Sequence, residues 1–290
     1  MMPKRAAAAT FALLLTTTAV LATGCARSIP AGIPSGITVN VFQNRLDYSP
    51  RILEIEVNNA TDDPFTVTDA SFVSTRFTSI AEWASPEQIP AGAARDLKVH
   101  LPAPLCDSTP PSDTVSLLIT LKDGTRVAGA VMPSDDGGSI EAINNQDCLV
   151  VSVNAIAAVT PPTELLWTPG ARQPATVTLT VTPAGVPGTL TINYVKGTVL
   201  LGLVDPAGVE VYDIERDQIV DATSGVSFIP LLIVPGRCDA HAIIEDKRGT
   251  FMPLDVQTND GRSGKIYIAM SDNVRRSIYE YYQDYCGFGN

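Results

Sequence analysis

Apolar and polar residues alternate with a period of two in many short segments of this chain. Leu97-Lys98-Val99-His100-Leu101 sets three apolar residues on one side and Lys98 and His100 on the other. Ala175 to Val181 sets Val177, Leu179 and Val181 against a row of threonines, and Phe65-Thr66-Val67-Thr68 repeats the pattern. Alternation of this kind predicts half-buried β-strands. Ile52 to Val57 alternates in part and is closed by Asn58-Asn59-Ala60-Thr61-Asp62-Asp63-Pro64, a turn signal. Val115 to Leu121 and Thr125 to Met132 flank Lys122-Asp123-Gly124, which predicts a hairpin through Asp-Gly. Leu149-Val150-Val151-Ser152-Val153 predicts the strand that closes a first unit.

Prolines interrupt the pattern at Thr160-Pro161-Pro162 and Pro169-Gly170, and strands then return. Thr189 to Tyr194, Thr198 to Val204, Val209 to Ile214, Phe228 to Val234, Ala242 to Glu245 and Lys265 to Met270 complete a second set. Many short strands between turn signals predict β-sandwiches. The fold expected is mainly β, with two tandem Ig-like β-sandwich domains. The first spans 37–158, the linker 159–174 and the second 175–290. Near the end the period changes. Val274, Ile278, Tyr281, Tyr282 and Tyr285 form a helical stripe, so a short C-terminal helix is expected from Asp272 to Tyr285, with Gly287 as its stop. Ser277 and Glu280 have capping-box spacing but lie inside that stripe.

The first 24 residues follow a different rule. Lys4 and Arg5 precede the uncharged run Ala6 to Ala22, whose centre is Phe11-Ala12-Leu13-Leu14-Leu15. Small residues then lead to Leu21-Ala22-Thr23-Gly24-Cys25. A short basic start, an apolar centre and small residues mark a secretory signal. The run is too short, and too diluted by Thr16, Thr17 and Thr18, for the ~20 apolar residues of a membrane span. Leu21 to Cys25 resembles the lipobox of bacterial lipoproteins, with Ala22 a less typical choice where the family often has Leu. The resemblance covers 25 residues only. It implies that 1–24 is removed, that the Cys25 thiol carries a diacylglyceryl group, and that Cys25 begins the mature chain. Two acyl chains, at about 0.8 kcal/mol per buried methylene, suffice for stable anchoring. The implied location is the outer face of the cell membrane, with the bilayer as first partner. Residues 25–36, rich in Pro, Gly and Ser, then read as a tether whose Ala26 to Gly36 stretch reaches at most roughly 35 Å. In organisation only, the chain resembles uncharacterised envelope lipoproteins of high-GC Gram-positive bacteria.

The cysteines agree with that compartment. Five are present, and setting Cys25 aside leaves Cys106, Cys148, Cys238 and Cys286. Separations of 42 and 48 residues suggest one local bridge per domain, Cys106 with Cys148 and Cys238 with Cys286. Such bridges persist in oxidising extracytoplasmic space. The two halves also look duplicated: Cys106-Asp107 matches Cys238-Asp239, Lys122-Asp123-Gly124-Thr125 resembles Lys247-Arg248-Gly249-Thr250, and Ser139-Ile140 with Gln146-Asp147-Cys148 resembles Ser277-Ile278 with Gln283-Asp284-Tyr285-Cys286.

Charge narrows the partners. The net charge is −11, and −13 once the two positive charges of 1–24 are removed, which argues against binding nucleic acid. An envelope protein or a cell-wall component is the expected further partner. No motif points to catalysis, to a metal or to a cofactor: there is no Gly-x-Ser-x-Gly, no Cys-x-x-Cys and no complete calcium loop. Asp62-Asp63, Asp135-Asp136-Gly137-Gly138 and Asn259-Asp260-Gly261 are oxygen-rich but are also ordinary turns. Tyr279 and Phe288, left over from the helical stripe, are the candidate binding surface. The leading expectation is a non-catalytic binding or scaffolding module. The rivals are an envelope hydrolase acting on carbohydrate or peptide, which would need Asp239, His241 and Asp246 in a cleft, and the solute-binding lipoprotein of a transporter.

Overall fold

The computed structural model describes residues 32–107, 110–239, 241, 243 and 249–288. The alternating segments form strands, and their apolar faces meet in two cores. In the first unit, β1 (Ile37–Phe42), β2 (Ile52–Asn59) and β6 (Ala94–His100) form one antiparallel sheet in the order β1-β2-β6. The facing sheet runs β4 (Ala81–Trp83), β3 (Phe65–Ser74), β7 (Asp113–Leu121), β8 (Arg126–Val131), with β5 (Glu87–Ile89) also on β3. Leu53, Ile55, Val57, Val67, Phe72, Leu97, Val99, Val115 and Ile119 are buried between them.

The second unit repeats the plan. One sheet runs β13 (Glu210–Val211), β12 (Leu201–Val204), β15 (Ser227–Pro235), β10 (Ala175–Pro183), β9 (Ala157–Thr160). Its partner runs β14 (Asp213–Asp221), β11 (Thr189–Lys196), β16 (Phe251–Thr258), β17 (Ser263–Ala269). The order β1-β2-β6 corresponds to β9-β10-β15, and β3-β7-β8 to β11-β16-β17. The correspondence extends to an irregularity. Pairing of β3 with β7 slips between Val67 and Asp69, and pairing of β11 with β16 slips between Ile192 and Tyr194. A bulge adds one residue to one strand and increases local twist. Its recurrence at matching places supports a duplicated unit. One expected match is corrected. Gly249-Thr250 precede β16, whereas Asp123-Gly124 join β7 to β8, so the true counterpart of that turn is Asp260-Gly261 between β16 and β17.

The largest departure from the sequence pattern is α1 (Ser139–Ile156). Leu149 to Val153, expected as a strand, lies inside this helix. The β-branched run Val150-Val151 hid the period, and both side chains turn out to be exposed. The buried residues do follow helical spacing, but they serve two cores. Ile140 and Ile143 pack into the first core, and Leu149, Val153 and Ile156 into the second. The expected linker 159–174 accordingly begins inside β9, which pairs with β10, and Leu166 exchanges backbone hydrogen bonds with Thr176.

Polar contacts surround α1. Asp135 accepts hydrogen bonds from the Ser139 and Ile140 amides and satisfies two of the free donors at the helix start. Arg51 pairs with Asp147 at 2.6 Å and donates to the Leu101 and Pro102 carbonyls. From the second unit, Arg262 donates to the Cys106 carbonyl, and Gln146 on the helix donates to the Lys265 carbonyl. Ser152 donates to Asp260 at 2.7 Å. The two units are therefore joined by packing, hydrogen bonds and one continuous helix.

The C-terminal helix matches expectation closely: α2 spans Asp272–Cys286. The Ser271 hydroxyl, rather than Ser277, caps its start by accepting from the Val274 amide. Gly287 ends it with φ of 73°, a left-handed conformation that glycine adopts without steric cost. The Tyr281 hydroxyl donates to a backbone carbonyl inside the second core, with Gln173 and Ile233 both in reach, and burial pushes the group's pKa up. The bridges form as the spacing suggested, Cys106–Cys148 and Cys238–Cys286. The second cysteine of each pair sits on the helix that ends its unit, eight residues after a buried isoleucine, Ile140 or Ile278.

Edges of the sheets are managed. The Gly32 amide donates to the Ala128 carbonyl on β8, and Ile33 packs against the first core beside Gly129, where an added Cβ would come within 3.0 Å of the Ile33 nitrogen. Residues 32–36, expected as free tether, are thus docked on the first unit. On β14, Arg216 points inward and donates to the Pro230 carbonyl. A charged residue turned into an edge strand discourages pairing with another chain.

Truncation of Leu149 to Ala should cost about 2–5 kcal/mol. The shared helix further predicts that both units lose stability together. Trp83 reports on the first unit and Trp167 on the second, so Leu149→Ala in Trp83→Phe and Trp167→Phe backgrounds should give coincident urea transitions. An unshifted Trp83 transition would contradict this coupling.

Asp260 supplies a pH test. Hydrogen bonds, first from Thr258 and then from Ser152, hold its pKa down at about 2, against burial acting the other way. A depressed carboxylate contributes stability above its unfolded value near 3.8, and this is lost as pH falls toward 2. Asp260→Asn should flatten the fall in urea midpoint across that window while leaving other acid-dependent losses in place.

Candidate functional site

The residues singled out from the sequence reach different ends. Cys25 lies outside the described residues, as does Asp246. Tyr279 and Phe288 do not form an open stacking surface: both pack, half-buried, against the second core, and the Phe288 ring lies 6.2 Å from that of Tyr282. His241 is exposed, and its backbone amide donates to Asp239 at 2.9 Å. His100 is exposed with Nδ1 3.4 Å from the Pro50 carbonyl. One acid of each oxygen-rich turn is committed: Asp63 pairs with Lys122, Asp135 caps α1, and Asp260 serves Thr258, Ser152 and Arg262.

A second group of acids is also answered from within. Glu54 and Asp47 are buried, and Lys98 reaches Glu54 at 3.0 Å and Asp47 at 3.6 Å. Asn44 donates to Glu54 at 2.8 Å. Across the same sheet, burial first and the facing Glu56 second push the Asp96 carboxyl up, while Lys98 pulls it down. Among the described residues, no group of three or more His, Cys, Asp or Glu side chains is placed to hold a metal ion.

The concavity that stands out lies elsewhere, on the outer face of the first unit's β4-β3-β7-β8 sheet. It has a volume of about 620 Å³. Strand alternation builds it. Ala70, Phe72, Val115 and Leu117 turn into the core, so Asp69, Ser71, Ser116 and Leu118 turn out. Cross-strand register then sets two rows. Glu82, Ser71, Ser116 and Ala130 lie side by side across four strands, and Asp69, Leu118 and Ala128 form the next row. The floor is low because its central side chains are small. Asp69 and Glu82 stand exposed on two sides, and Trp83, packed against the first core, closes part of the rim. Among the described residues, none of Asp69, Glu82, Ser71 and Ser116 uses its side chain in a hydrogen bond or ion pair. Asp69 lies immediately after the bulge, which sets its direction.

The matching face of the second unit is filled. In register, Tyr194 stands for Asp69, Lys196 for Ser71, Pro253 for Ser116, Lys265 for Ala128, Tyr267 for Ala130 and Asp213 for Glu82. Lys196 pairs with Asp213 at 3.4 Å and lies 5.0 Å from the centre of the Tyr194 ring. The groove escaped sequence reading because Ser71, Ser116, Ala128 and Ala130 carry no motif. Only a register alignment of the two halves exposes the substitution of bulky residues by small ones.

No family model matches the chain, and no curated protein matches it. Solved structures match the chain only at low identity and low TM-score. The B domain of a biofilm-associated protein is 8% identical with a TM-score of 0.24, over 86% of this chain and 90% of that one. CBD12 from CALX1.2 is 12% identical with a TM-score of 0.19, over 73% and 75%. Red sea bream transglutaminase is 12% identical with a TM-score of 0.23 over 83% of this chain, which spans about a third of that enzyme, 32%. Likeness at this level carries no argument about fold, ligand or role.

Proposed function

We propose that this chain is an extracytoplasmic lipoprotein, acylated at Cys25, held on the outer face of the cell membrane, and acting there as a non-catalytic binding or scaffolding module of the envelope. The observation that carries this reading is the account of its cysteines. Four of the five thiols are oxidised into two bridges. Bridges of this kind suit secreted proteins rather than the reducing cytoplasm. The fifth, Cys25, directly follows the apolar run and ends the lipobox-like Leu21-Ala22-Thr23-Gly24-Cys25.

The fold suits a scaffold. A shared helix fixes two sandwiches against each other, so surfaces on both are presented at a set spacing. Gly32 is docked on β8, leaving seven Cα steps back to Cys25, at most roughly 25 Å. Acylation at Cys25 would hold the first unit close to the lipid headgroups, with the second unit joined rigidly to it. A partner's identity enters through the open groove rather than through Tyr279 and Phe288, which belong to the second core.

Mass spectrometry of the membrane fraction should find a mature N-terminus at Cys25 carrying a diacylglyceryl group. Cys25→Ala should move the protein out of the membrane fraction while both bridges still form. An intact N-terminus without lipid in native cells would refute the anchor.

A further inference from the structure

We propose that the groove on β4-β3-β7-β8 receives a lysine or arginine side chain from an extended basic segment of a partner polypeptide. The inference deepens the binding-module reading and rests on it. Its basis is the comparison between the two copies of the fold. In the second unit, Asp213 is answered by Lys196, which lies across the sheet face over Tyr194. In the first unit, Glu82 holds the position of Asp213, but Ser71 replaces Lys196. The acid is retained and its internal cation is gone.

The space around that missing cation fits a guest of the same chemistry. Asp69 supplies a second carboxylate on the next row, and no Lys or Arg lines the groove. Two residues along β3 separate Asp69 from Ser71, about 6.7 Å, and one strand spacing of about 4.8 Å separates Ser71 from Glu82. A basic head group between them meets both carboxylates. Leu118, Ala128 and Ala130 offer apolar surface to the aliphatic stem, as such stems commonly pack. The free hydroxyls of Ser71 and Ser116 are available to the guest's backbone. An extended segment, rather than a single residue, matches a groove that crosses four strands. Since both carboxylates are exposed, each ion pair contributes modestly and is weakened by salt.

The test uses the native acylated protein in detergent, with fluorescein-labelled hexalysine as probe and fluorescence anisotropy as readout. Saturable binding is expected, weakened severalfold by Asp69→Asn with Glu82→Gln. Ser71→Lys with Ala130→Tyr, which installs the second unit's own filling, should weaken it as much. Asp136→Asn with Glu164→Gln changes the charge equally at exposed positions outside the groove and should leave affinity within twofold. A carbodiimide should couple the probe's amines to Asp69 and Glu82, mapped by mass spectrometry. Thermal unfolding of each variant checks that the fold is intact. Equal weakening by the control pair, or cross-links scattered over the surface, would overturn the proposal. So would saturable binding of a glucosamine oligomer in this groove with none of hexalysine. Failure of the groove and failure of the anchor separate cleanly, since an unacylated chain that still binds the probe loses only the anchor, and an acylated chain that does not bind loses only the groove.

Discussion

The architecture depends on the burial of one helix in two cores. Ile140 and Ile143 of α1 complete the first sandwich, and Leu149, Val153 and Ile156 complete the second. An α-helix cannot bend sharply between such positions without losing backbone hydrogen bonds, so it sets the relation of the two units. Two independent sandwiches on a flexible linker would leave both apolar ends of this helix in water. The Cys106–Cys148 bridge falls at the midpoint of that arrangement, where Arg51 also reaches Asp147 and Arg262 reaches the Cys106 carbonyl. Covalent, ionic and packing constraints therefore coincide at the junction, and each limits the same relative motion.

Duplication explains why the molecule can keep one copy closed and leave the other open. Both copies bury the same face of corresponding strands, so both cores obey the same alternation. Their outer faces are under no such demand. In the second unit the outer face of β11, β16 and β17 is covered by its own Tyr194, Lys196 and Tyr267. In the first, small residues leave a concavity and two carboxylates that have no ion pair among the described residues. The backbone ladder and the inner face are common to both copies, so the change costs only outer-face cross-strand contacts, about 0.2–1 kcal/mol each. Such a position can diverge toward recognition while the fold persists.

Most of the strands, the C-terminal helix with its Gly287 stop, and both disulfides were legible in the chain because local chemistry sets them. Alternation, a helical stripe and a left-handed cap each act within a few residues. The bridges were legible because each closes a loop inside one unit. Edge strand β14 was missed: its pattern Asp213-Ile214-Glu215-Arg216-Asp217-Gln218-Ile219 carries polar residues on both faces, as an edge permits. The half-burial of Tyr279 and Phe288 against the second core is invisible to spacing alone.

What the amino-acid order determined by itself was therefore the local: the β-rich composition, strand faces, terminal helix, signal-like start and cysteine pairing. Tertiary structure alone decided the rest. The helical state of Leu149 to Val153 required two cores to claim opposite ends of one segment, which overrode a β-branched local preference. The groove required four strands, distant in sequence, to line up small side chains in register, and no single strand contains that information. Contacts made over long sequence separations supply both, and periodicity within a window has no access to them.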